Sequence, residues 1–383
     1  MEKTISECFS QIQNGANIKQ GIKNGGFPIT RIETISSDKF NRDKMGYAGI
    51  TDASQYENYI LEDNDLLMSH INSPQYLGRT VLYKKVDNET IIHGMNLLRL
   101  KANKEVNPSY ARYYFYGNKF RQQIVKITKK SVNQASFAVN DLKRIKMYLP
   151  EMESQNNIVR KLDIISKLID MHNEILNKYD LLIKARFIEM FRDEKHRMLM
   201  SEVCSIITDG THQPPKFKRE GIPFIFVSNI AEDRLTYNAE KFIDQETYDE
   251  LIKRTPIEIG DVLLSTVGSY GHPAVVKSGK KFLFQRHIAY LKPRREIVDS
   301  EFLHGAILSS DVQEQIEKAV KGIAQKTLNL SEIKKMVIPV PTIDRQKKFT
   351  NFVQHVDKSR EEVKKSLEKT QQLYDSLMQE YFG

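Results

Sequence analysis

The chain has few of the features that mark secreted or membrane-embedded proteins. It contains two cysteines in 383 residues, Cys8 and Cys204, too few for a disulfide framework, and both are expected to be small buried residues. No apolar run approaches the length of a bilayer span, and the N-terminal segment MEKTISECFS has no apolar core of the kind found in secretion signals. These absences predict a cytoplasmic protein with no membrane partner.

The motifs of common catalysts are also missing. There is no G-x-x-x-x-G-K-[ST] phosphate loop, and no glycine-rich cofactor loop follows a predicted strand. No Asn-Pro-Pro-aromatic tetrapeptide, which would orient a base amine for methyl transfer, occurs; the segment Gln213 to Lys216 lacks the aromatic residue. No Pro-Asp precedes a Glu-x-Lys as in common nucleases, and the His and Cys spacings fit no zinc site. We therefore expect no catalytic, cofactor-binding or metal-binding residues in this chain.

A repeat of about half the chain is the dominant feature that the sequence does contain. The segment from Gln134 to Phe191 aligns without a gap to a second copy that ends at Phe382, so that Pro150 and Gln155 recur as Pro341 and Gln346. The segments upstream also correspond in order, but they differ far more. The chain is therefore expected to run as globular unit, long helix, globular unit, long helix.

Both copies of the conserved segment predict a long amphipathic helix. From Gln155 to Phe191 there is no proline or glycine, and apolar residues recur every three or four positions. The helix would be on the order of 55 Å long, and its apolar stripe requires a partner helix. His172, which falls on the stripe, is expected to be half exposed, and the spacing leaves open whether Leu182 or Ile183 faces the partner. The predicted pairing residues are Ile158, Leu162, Ile165, Leu176, Phe187, Phe349, Val353, Val356, Leu367, Leu373 and Met378.

These features predict an α+β fold with two similar globular α/β domains. Two long antiparallel helices would separate the domains and form an intramolecular coiled coil, giving a pseudo-two-fold arrangement. The expected boundaries are 1–149 for the first domain, 150–195 for the central helix, 196–340 for the second domain and 341–383 for the distal helix. Within the first domain we expect strands within Gly25 to Ile35, at Leu66–Ser69, at Thr80–Tyr83 and at His93–Leu100, and a helix beginning at Pro108.

The distribution of charge favours a phosphate-binding surface, although composition alone leaves a merely basic protein as an equal alternative. The formal net charge is +9, and each long helix contributes only +1, so that +7 lies elsewhere. Loops rich in donors and acceptors could read base edges while lysines hold phosphates, although a solvated surface residue is the commoner case for any one of them. The candidate DNA-binding residues are Lys19, Lys23, Asn72, Arg79, Thr211, His212, Lys216, Lys218, Arg219, Ser269, Tyr270 and Arg286.

Two related readers on a rigid spacer suit an asymmetric, bipartite DNA site, because positions on one face of the duplex recur every ~34–36 Å. The alternative is a two-headed protein–protein adaptor on a coiled-coil spacer. The basic excess and the donor-rich loops argue mildly against that alternative. A third possibility, an enzyme with an unrecognised active site, would require a cluster of titratable residues that the sequence does not show.

The segments AQKTLNLSEIKKMVIPVPTIDRQKKF (Ala324 to Phe349) and NQASFAVNDLKRIKMYLPEMESQNNIV (Asn133 to Val159) resemble those of the specificity (S) subunits of type I restriction–modification systems. Asp209 to Ile230 and Gly260 to Gly271 also look like segments of the recognition domains of that family. The resemblance implies that 1–149 and 196–340 are target-recognition domains for double-stranded DNA and that the helices set the unread spacer. It implies two methyltransferase subunits as partners, and it allows restriction (motor–nuclease) subunits as well. S-adenosylmethionine, ATP and Mg would then be cofactors of those partners, with none in this chain.

Overall fold

The chain folds into two units. A computed structural model describes residues 1–21, 23–130, 134–322 and 326–383. Unit 1 comprises Met1–Met171 and Ser366–Gly383, and unit 2 comprises His172–Lys365. Asn133, Ala324 and Gln325, which belong to the segments that carry the predicted repeat and the family resemblance, lie outside the described residues.

Unit 1 mixes short strands with helices. Its strands are β1 (Glu2–Thr4), β2 (Phe9–Asn14), β3 (Leu66–Ser69), β4 (Ile71–Asn72), β5 (Thr80–Leu82), β6 (Leu97–Ala102), β7 (Lys129–Lys130), β8 (Ala135–Ser136) and β9 (Lys146–Tyr148). Its helices are α1 (Ile5–Cys8), α2 (Pro108–Tyr116), α3 (Asn118–Ile127), α4 (Val139–Arg144) and the first part of α5 (Met152–Phe191). Short 3-10 helices occur at Ile32–Ile35, Arg42–Lys44, Ser54–Tyr59 and Pro74–Tyr76.

Unit 2 repeats most of this order. Its strands are β10 (Arg197–Leu199), β11 (Cys204–Asp209), β12 (Ile222–Ile225), β13 (Phe242–Ile243), β14 (Val262–Ser265), β15 (Pro273–Val275), β16 (Leu283–Phe284), β17 (Ile288–Pro293) and β18 (Val337–Pro339). Its helices are α6 (Met200–Val203), α7 (Gln245–Leu251), α8 (Ser300–Ile307), α9 (Ser310–Ala319), α10 (Leu330–Lys335) and the first part of α11 (Ile343–Phe382), whose last part belongs to unit 1. A 3-10 helix spans Val227–Asn229.

The main sheet has the same design in both units. It is antiparallel, with the order β2-β6-β3-β5 in unit 1 and β11-β17-β14-β15 in unit 2. A register irregularity falls at the same place in each first strand, between Phe9 and Gln11 and between Cys204 and Ile206. The two sheets are therefore copies in topology and in local backbone detail.

Each main sheet is buried on both faces, which explains why β3 and β14 are apolar except for the serine at the end of each strand. In β3, Leu66 and Met68 pack against helices of unit 1, whereas Leu67 points to a second cluster on the other face. In β14, Val262 and Leu264 pack against helices of unit 2, and Leu263 faces the opposite cluster. The helical layer thus lies on one face of the sheet in each unit.

The long helices pair antiparallel within each unit. In unit 1, Ile158 and Leu162 from the first part of α5 share one cluster with Met378 and Phe382 from the end of α11. In unit 2, Phe187 from the end of α5 packs edge-on against Phe349 from the beginning of α11, with ring centroids 5.3 Å apart. Both helices have 40 residues. The predicted fold class, α+β with two similar units and two long helices paired as a coiled coil, is confirmed.

Ion pairs reinforce the helix pair in unit 2. The guanidinium of Arg360, which is only 4% exposed, donates to Asp180 across the two helices at 2.6 Å. Asp357 of α11 accepts from Arg234 at 3.1 Å and from Lys277 at 2.9 Å, and both of these residues belong to the globular part of the unit. The globular part is therefore joined to the helices by charge as well as by apolar packing.

In each unit, one glutamine of the repeat joins the long helix to the helix that follows the main sheet: α5 to α2 in unit 1, and α11 to α8 in unit 2. Gln155 accepts a hydrogen bond from the backbone N–H of Asn107, the residue that caps α2, at 2.8 Å. Gln346 accepts from the N–H of Asp299, which caps α8, also at 2.8 Å. Each glutamine side chain also donates to two backbone carbonyls, and both residues are completely buried. This shared function explains why the glutamine recurs in both copies.

The helix-pairing residues are buried to different degrees. Leu162, Ile165, Phe187, Phe349, Val353 and Val356 are buried, and Ile158, Leu176, Leu367 and Met378 are half-buried. The prediction that Leu373 pairs the helices is wrong, because its side chain is 52% exposed. Its neighbour Tyr374 packs on the core of unit 1 in its place. The same one-residue ambiguity in α5 is resolved in favour of Ile183, which is buried, over Leu182, which is exposed.

Several local predictions are also corrected. The strand expected within Gly25 to Ile35 is absent, and the segment instead ends in the 3-10 helix Ile32–Ile35. The strand expected from His93 begins only at Leu97. The helix that begins at Pro108 breaks at Gly117, where the backbone is extended (ψ 153°) and a side chain would collide with Phe382. His172 is half-buried as expected.

Candidate nucleic-acid interface

One end of each main sheet gathers the loops that the sequence singled out. In unit 2, β11 ends at Asp209 and β14 ends at Ser265, while β15 begins at Pro273 and β17 begins at Ile288. Because neighbouring strands in this sheet are antiparallel, these four positions lie at the same end. We call this the loop end of the sheet; in unit 1 it is formed by Asn14, Ser69, Thr80 and Leu97.

Two backbone hydrogen bonds hold Thr211 and Arg286 side by side at the loop end of unit 2. Thr211 donates its N–H to the carbonyl of Phe284 at 2.9 Å, and its own carbonyl accepts from the N–H of Arg286 at 3.0 Å. Gly210 makes this approach possible, because a Cβ there would lie 2.3 Å from the carbonyl oxygen of Phe284. The structure therefore brings together Thr211, His212 and Arg286 from two separate segments.

The polar side chains at this end differ in how far they are already engaged. Asp209 pairs with Arg254 at 2.6 Å and with His212 at 2.9 Å. Arg286 makes no ion pair with the carboxylates of the described residues, and its Nε donates to Nε2 of His287 at 3.3 Å. Burial and the neighbouring Arg286 charge both lower the pKa of His287. His287 is therefore neutral near pH 7, with Nε2 available as an acceptor.

The remaining candidates of unit 2 fall into two groups. Ser269 is exposed on the loop after β14, where the Tyr270 hydroxyl donates to Glu317 at 3.0 Å. Lys216, Lys218 and Arg219 are exposed on the segment that leads to β12. Lys218 pairs through its backbone with Phe242 beside the small sheet β13-β12-β16, and its ammonium lies 3.4 Å from Asp244. Lys216 and Arg219 make no ion pair within the described part of the chain.

The candidates of unit 1 are less uniform. Lys19 and Lys23 are exposed on the loop after β2. Asn72 lies in β4, and its side-chain oxygen accepts from the N–H of Ser73 at 2.7 Å, which stabilises the turn. Arg79 donates to the carbonyl of Ser36 and lies over the ring of Tyr76, 4.6 Å from the ring centroid. Asn72 and Arg79 therefore already have structural partners, whereas the side chains of the two lysines make no hydrogen bond or ion pair to the described residues.

Sequence reasoning missed Met95 and Asn96, which occupy the loop end of unit 1. Both are exposed and border a cavity of about 360 Å³ that is also lined by Gln20 and Arg31. Asn96 adopts φ +80°, a left-handed conformation that asparagine tolerates better than most residues. Gly94 and Asn96 are residue types common in turns, but the predicted strand His93–Leu100 includes both, and the structure corrects that prediction.

The cysteines have no part in this surface. Both thiols are buried, and burial raises the pKa of Cys8 to about 11 and that of Cys204 to about 12, which keeps them protonated and unreactive at neutral pH. The expectation of small buried residues is confirmed. Among the described residues there is no cluster of three or more His, Cys, Asp or Glu side chains suited to a metal ion. No helix in the described ranges is long and apolar enough to cross a membrane.

Comparison with known proteins identifies relatives for most of the chain. The family model described as the type I restriction modification DNA specificity domain matches residues 1–179 and again 200–372. A Methanocaldococcus jannaschii protein, provisionally assigned as the MjaX type I restriction enzyme specificity subunit, is 28% identical over 97% of this chain and 91% of its own length. The EcoKI specificity subunit of Escherichia coli is 23% identical, over 50% of this chain and 42% of its own.

Solved structures share the fold. The S subunit of a type I restriction–modification system from M. genitalium aligns over 100% of this chain and 96% of its own, with a TM-score of 0.57 and 13% identity. A chain solved in work on complex assembly and conformational transition of the type I restriction–modification system aligns with a TM-score of 0.56 and 16% identity, over 100% of this chain and 97% of its own. At these identities the likeness concerns the fold.

Proposed function

Because the chain belongs to the family of type I restriction–modification DNA specificity domains, we propose that each of its two units reads one half of a bipartite, asymmetric DNA site. The chain is a specificity subunit whose task is DNA target recognition. The target-recognition domains are 1–149 and 196–340, with the central long helix at 150–195 and the distal long helix at 341–383. The observation that supports this proposal best is the loop end, where two sheets of one design present different side chains.

Different side chains on a common scaffold would give each unit its own sequence preference. In unit 2 the loop end presents Thr211, His212 and Arg286, and in unit 1 the corresponding backbone presents small, apolar or amide side chains. Base edges in the major groove differ in donors, acceptors and the thymine methyl group, so that such differences select different bases. The exposed Lys19, Lys23, Lys216 and Arg219 would contact phosphates, which adds affinity without sequence preference.

The helices would set the length of DNA that is not read. Each has 40 residues, which corresponds to about 60 Å of helix at 1.5 Å per residue. Buried apolar contacts and the Arg360–Asp180 pair resist sliding of one helix along the other. In this proposal the length of the helices fixes the gap between the half-sites.

Exposed apolar residues on α5 support docking of two partner subunits. They include Ile164, Leu168 and Met171 in unit 1 and Leu181, Ala185 and Ile188 in unit 2; Met152 and Leu182 are exposed as well. Both triplets have the spacing i, i+4, i+7, which places each on one face of the helix, and their large side chains are 41–65% exposed. On α11 only Leu373 is a comparably exposed large apolar residue. We assign each triplet to one methyltransferase subunit, which would cover it with an amphipathic helix.

The catalytic chemistry would reside in the partners. The methyltransferase subunits would bind S-adenosylmethionine and methylate adenine, and motor–nuclease subunits, where they join, would use ATP and Mg. In this proposal the chain recognises the DNA target and contributes no catalytic group.

Selection from a random pool tests the proposal. The chain is mixed with methyltransferase subunits and a pool of random duplexes, bound DNA is separated by electrophoretic shift, and the enriched sequences are read. We expect a split motif with an unread gap, and an affinity that falls steeply with salt concentration. A pool that stays flat at low salt, with the complex shown to be assembled, contradicts the proposal. Capture of a protein partner that survives nuclease treatment and blocks DNA binding would favour the adaptor instead.

A further inference from the structure

The two units place one dipeptide at the same backbone position. In unit 1, Ala16 donates its N–H to the carbonyl of His93 at 2.8 Å, and its carbonyl accepts from the N–H of Met95 at 2.9 Å. In unit 2, Thr211 donates to Phe284 at 2.9 Å and accepts from Arg286 at 3.0 Å. Both contacts form an isolated parallel bridge, Ala16 with Gly94 and Thr211 with Gln285. Met95-Asn96 therefore corresponds to Arg286-His287.

A glycine allows the close backbone contact that fixes this position in both units. A Cβ at Gly15 would lie 2.1 Å from the carbonyl oxygen of Gly94, and one at Gly210 would lie 2.3 Å from that of Phe284. The crossing segments thus touch backbone to backbone, and the dipeptide continues directly into β6 or β17. A side chain on such a rigid turn loses little conformational freedom on binding.

Arg286 has the free donors that recognition of guanine requires. Its Nε donates to Nε2 of His287, so that the two terminal nitrogens of the guanidinium remain for a ligand. The side chain is exposed, and no carboxylate of the described residues neutralises it. Arg254 at the same end differs, because Asp209 already occupies it at 2.6 Å. Two parallel N–H donors match O6 and N7 of guanine in the major groove.

Met95 and Asn96 offer a different surface at the same place. The thioether side chain of Met95 has no hydrogen-bond donor and suits an apolar contact such as the thymine methyl group. The side-chain amide of Asn96 is exposed and makes no hydrogen bond to the described part of the chain. An amide presents one donor and one acceptor, the pair that matches N6 and N7 of adenine.

We propose that Arg286-His287 and Met95-Asn96 are matched base-reading positions of the two units. Arg286 reads a guanine in the half-site of unit 2, His287 is the positioning residue that orients its guanidinium, and Met95-Asn96 reads an A·T pair at the equivalent step of the other half-site. This inference rests on the proposed function, since it requires that each unit reads a half-site.

The test compares enriched motifs for four variants in complex with methyltransferase subunits. Arg286→Met, which installs the side chain of unit 1, should reduce the preference at one G·C pair of one half-site by about 5- to 150-fold, the range that one bidentate contact gives. Arg286→Lys should lose most of that preference while the salt dependence stays similar. Met95→Arg should shift one pair of the other half-site towards guanine, a gain that misfolding cannot produce. His287→Ala should weaken the same G·C pair as Arg286→Met, but less.

The matched control is Arg295→Met. Arg295 lies beyond the other end of β17, where it donates to the carbonyl of Ile259 at 2.5 Å. The Arg295→Met substitution should leave both half-site motifs unchanged. Unchanged motifs for Arg286→Met and Met95→Arg overturn the inference, as does a loss of affinity for Arg286→Met that is uniform across all sequences, because that marks a phosphate contact. A wild-type complex that enriches no split motif overturns the proposed function itself, so the two failures are distinguishable.

Discussion

Gln155 should be among the most sensitive positions of unit 1, although its partners Glu105 and Asn107 follow the end of β6 that lies opposite to the loop end. Replacing it with leucine keeps the volume of the side chain and removes its amide. The amide accepts from the N–H of Asn107 at 2.8 Å and donates to the carbonyls of Glu105 and Pro150, both at 2.8 Å. Because the side chain is completely buried, water cannot replace these partners without opening the joint between α2 and α5.

The magnitude follows from the three lost bonds. A typical intramolecular hydrogen bond contributes about 1 kcal/mol to the free energy of unfolding, and a backbone group left buried and unpaired costs at least that much. Gln155→Leu should therefore lower the free energy of unfolding of unit 1 by about 2–4 kcal/mol. For a unit of this size each kcal/mol shifts Tm by about 2–4 °C, so we expect a fall of about 5–15 °C.

Differential scanning calorimetry with circular dichroism at 222 nm measures this effect. The control is Gln371→Leu in the same unit. The Gln371 amide is exposed and, among the described residues, donates to the side chain of Asp375 alone, at 2.9 Å, so that this substitution should change Tm by less than about 2 °C. Gln346→Leu should destabilise unit 2 in the same way, through its bonds to Asp299, Ile297 and Pro341. A Gln155→Leu protein that melts with the control would refute the reasoning about the joint.

Three further predictions concern charge, docking and spacing. Arg42 holds the pKa of Glu89 at about 2, below its ordinary value of 4.5, so this pair should stabilise unit 1 above about pH 4.5 and lose that effect as pH falls towards 2. Between these pH values the free energy of unfolding should fall less steeply for Glu89→Gln than for the control Glu33→Gln. Equal slopes for the two variants would contradict the prediction. The double substitution Ile164→Glu and Leu168→Glu should leave Tm nearly unchanged but reduce co-purification of methyltransferase subunits at least tenfold, whereas the control Lys126→Glu on α3 should retain those subunits. Undiminished co-purification would show that the exposed apolar triplet of unit 1 is not a docking site. Inserting seven residues, about two turns, after Lys178 should lengthen the gap in the enriched motif or abolish binding, and an unchanged gap would show that the helices do not set it.

The repetitive parts of the fold could be predicted from the sequence because their physical constraints are local and periodic. The apolar spacing of α5 and its copy in α11 predicts both helices, and Phe187 and Phe349 meet as their stripes require. The spacing cannot decide between adjacent apolar residues. Leu373 and Leu182 both fit the apolar spacing, yet their side chains are exposed. The adjacent residues Tyr374 and Ile183 pack in their place.

The loop end was harder to predict because its parts are distant in sequence and the two copies differ in length. The last paired residue of the first strand is Asn14 in unit 1 and Asp209 in unit 2, an offset of 195 positions. Their partners Leu98 and Ala289 are offset by 191 positions. A single repeat length cannot align both strands. The offset of 191 positions that relates Pro150 to Pro341 also relates Met95 to Arg286, but Ala16 and Thr211, whose carbonyls accept from those two residues, are 195 positions apart. The shared contact at the loop end therefore becomes visible only through the backbone hydrogen bonds.

Side chains with structural roles explain other differences. Asn72 and Arg79 have the residue types of base readers, yet Asn72 closes a turn with Ser73 and Arg79 is held by Ser36 and Tyr76. Sequence shows which side chains could donate to DNA. It does not show which of these side chains already have hydrogen-bond partners within the chain, because only the folded structure reveals those partners.

The most direct test of two-part DNA recognition is a map of adenine methylation in a host with and without this chain. With the chain and its methyltransferase present, we expect methylation at one split motif, with two unlike half-sites and a fixed gap, and the loss of that motif alone when the chain is removed. A methylation map that is identical in the two hosts, with the methyltransferase expressed and active in both, would contradict the account.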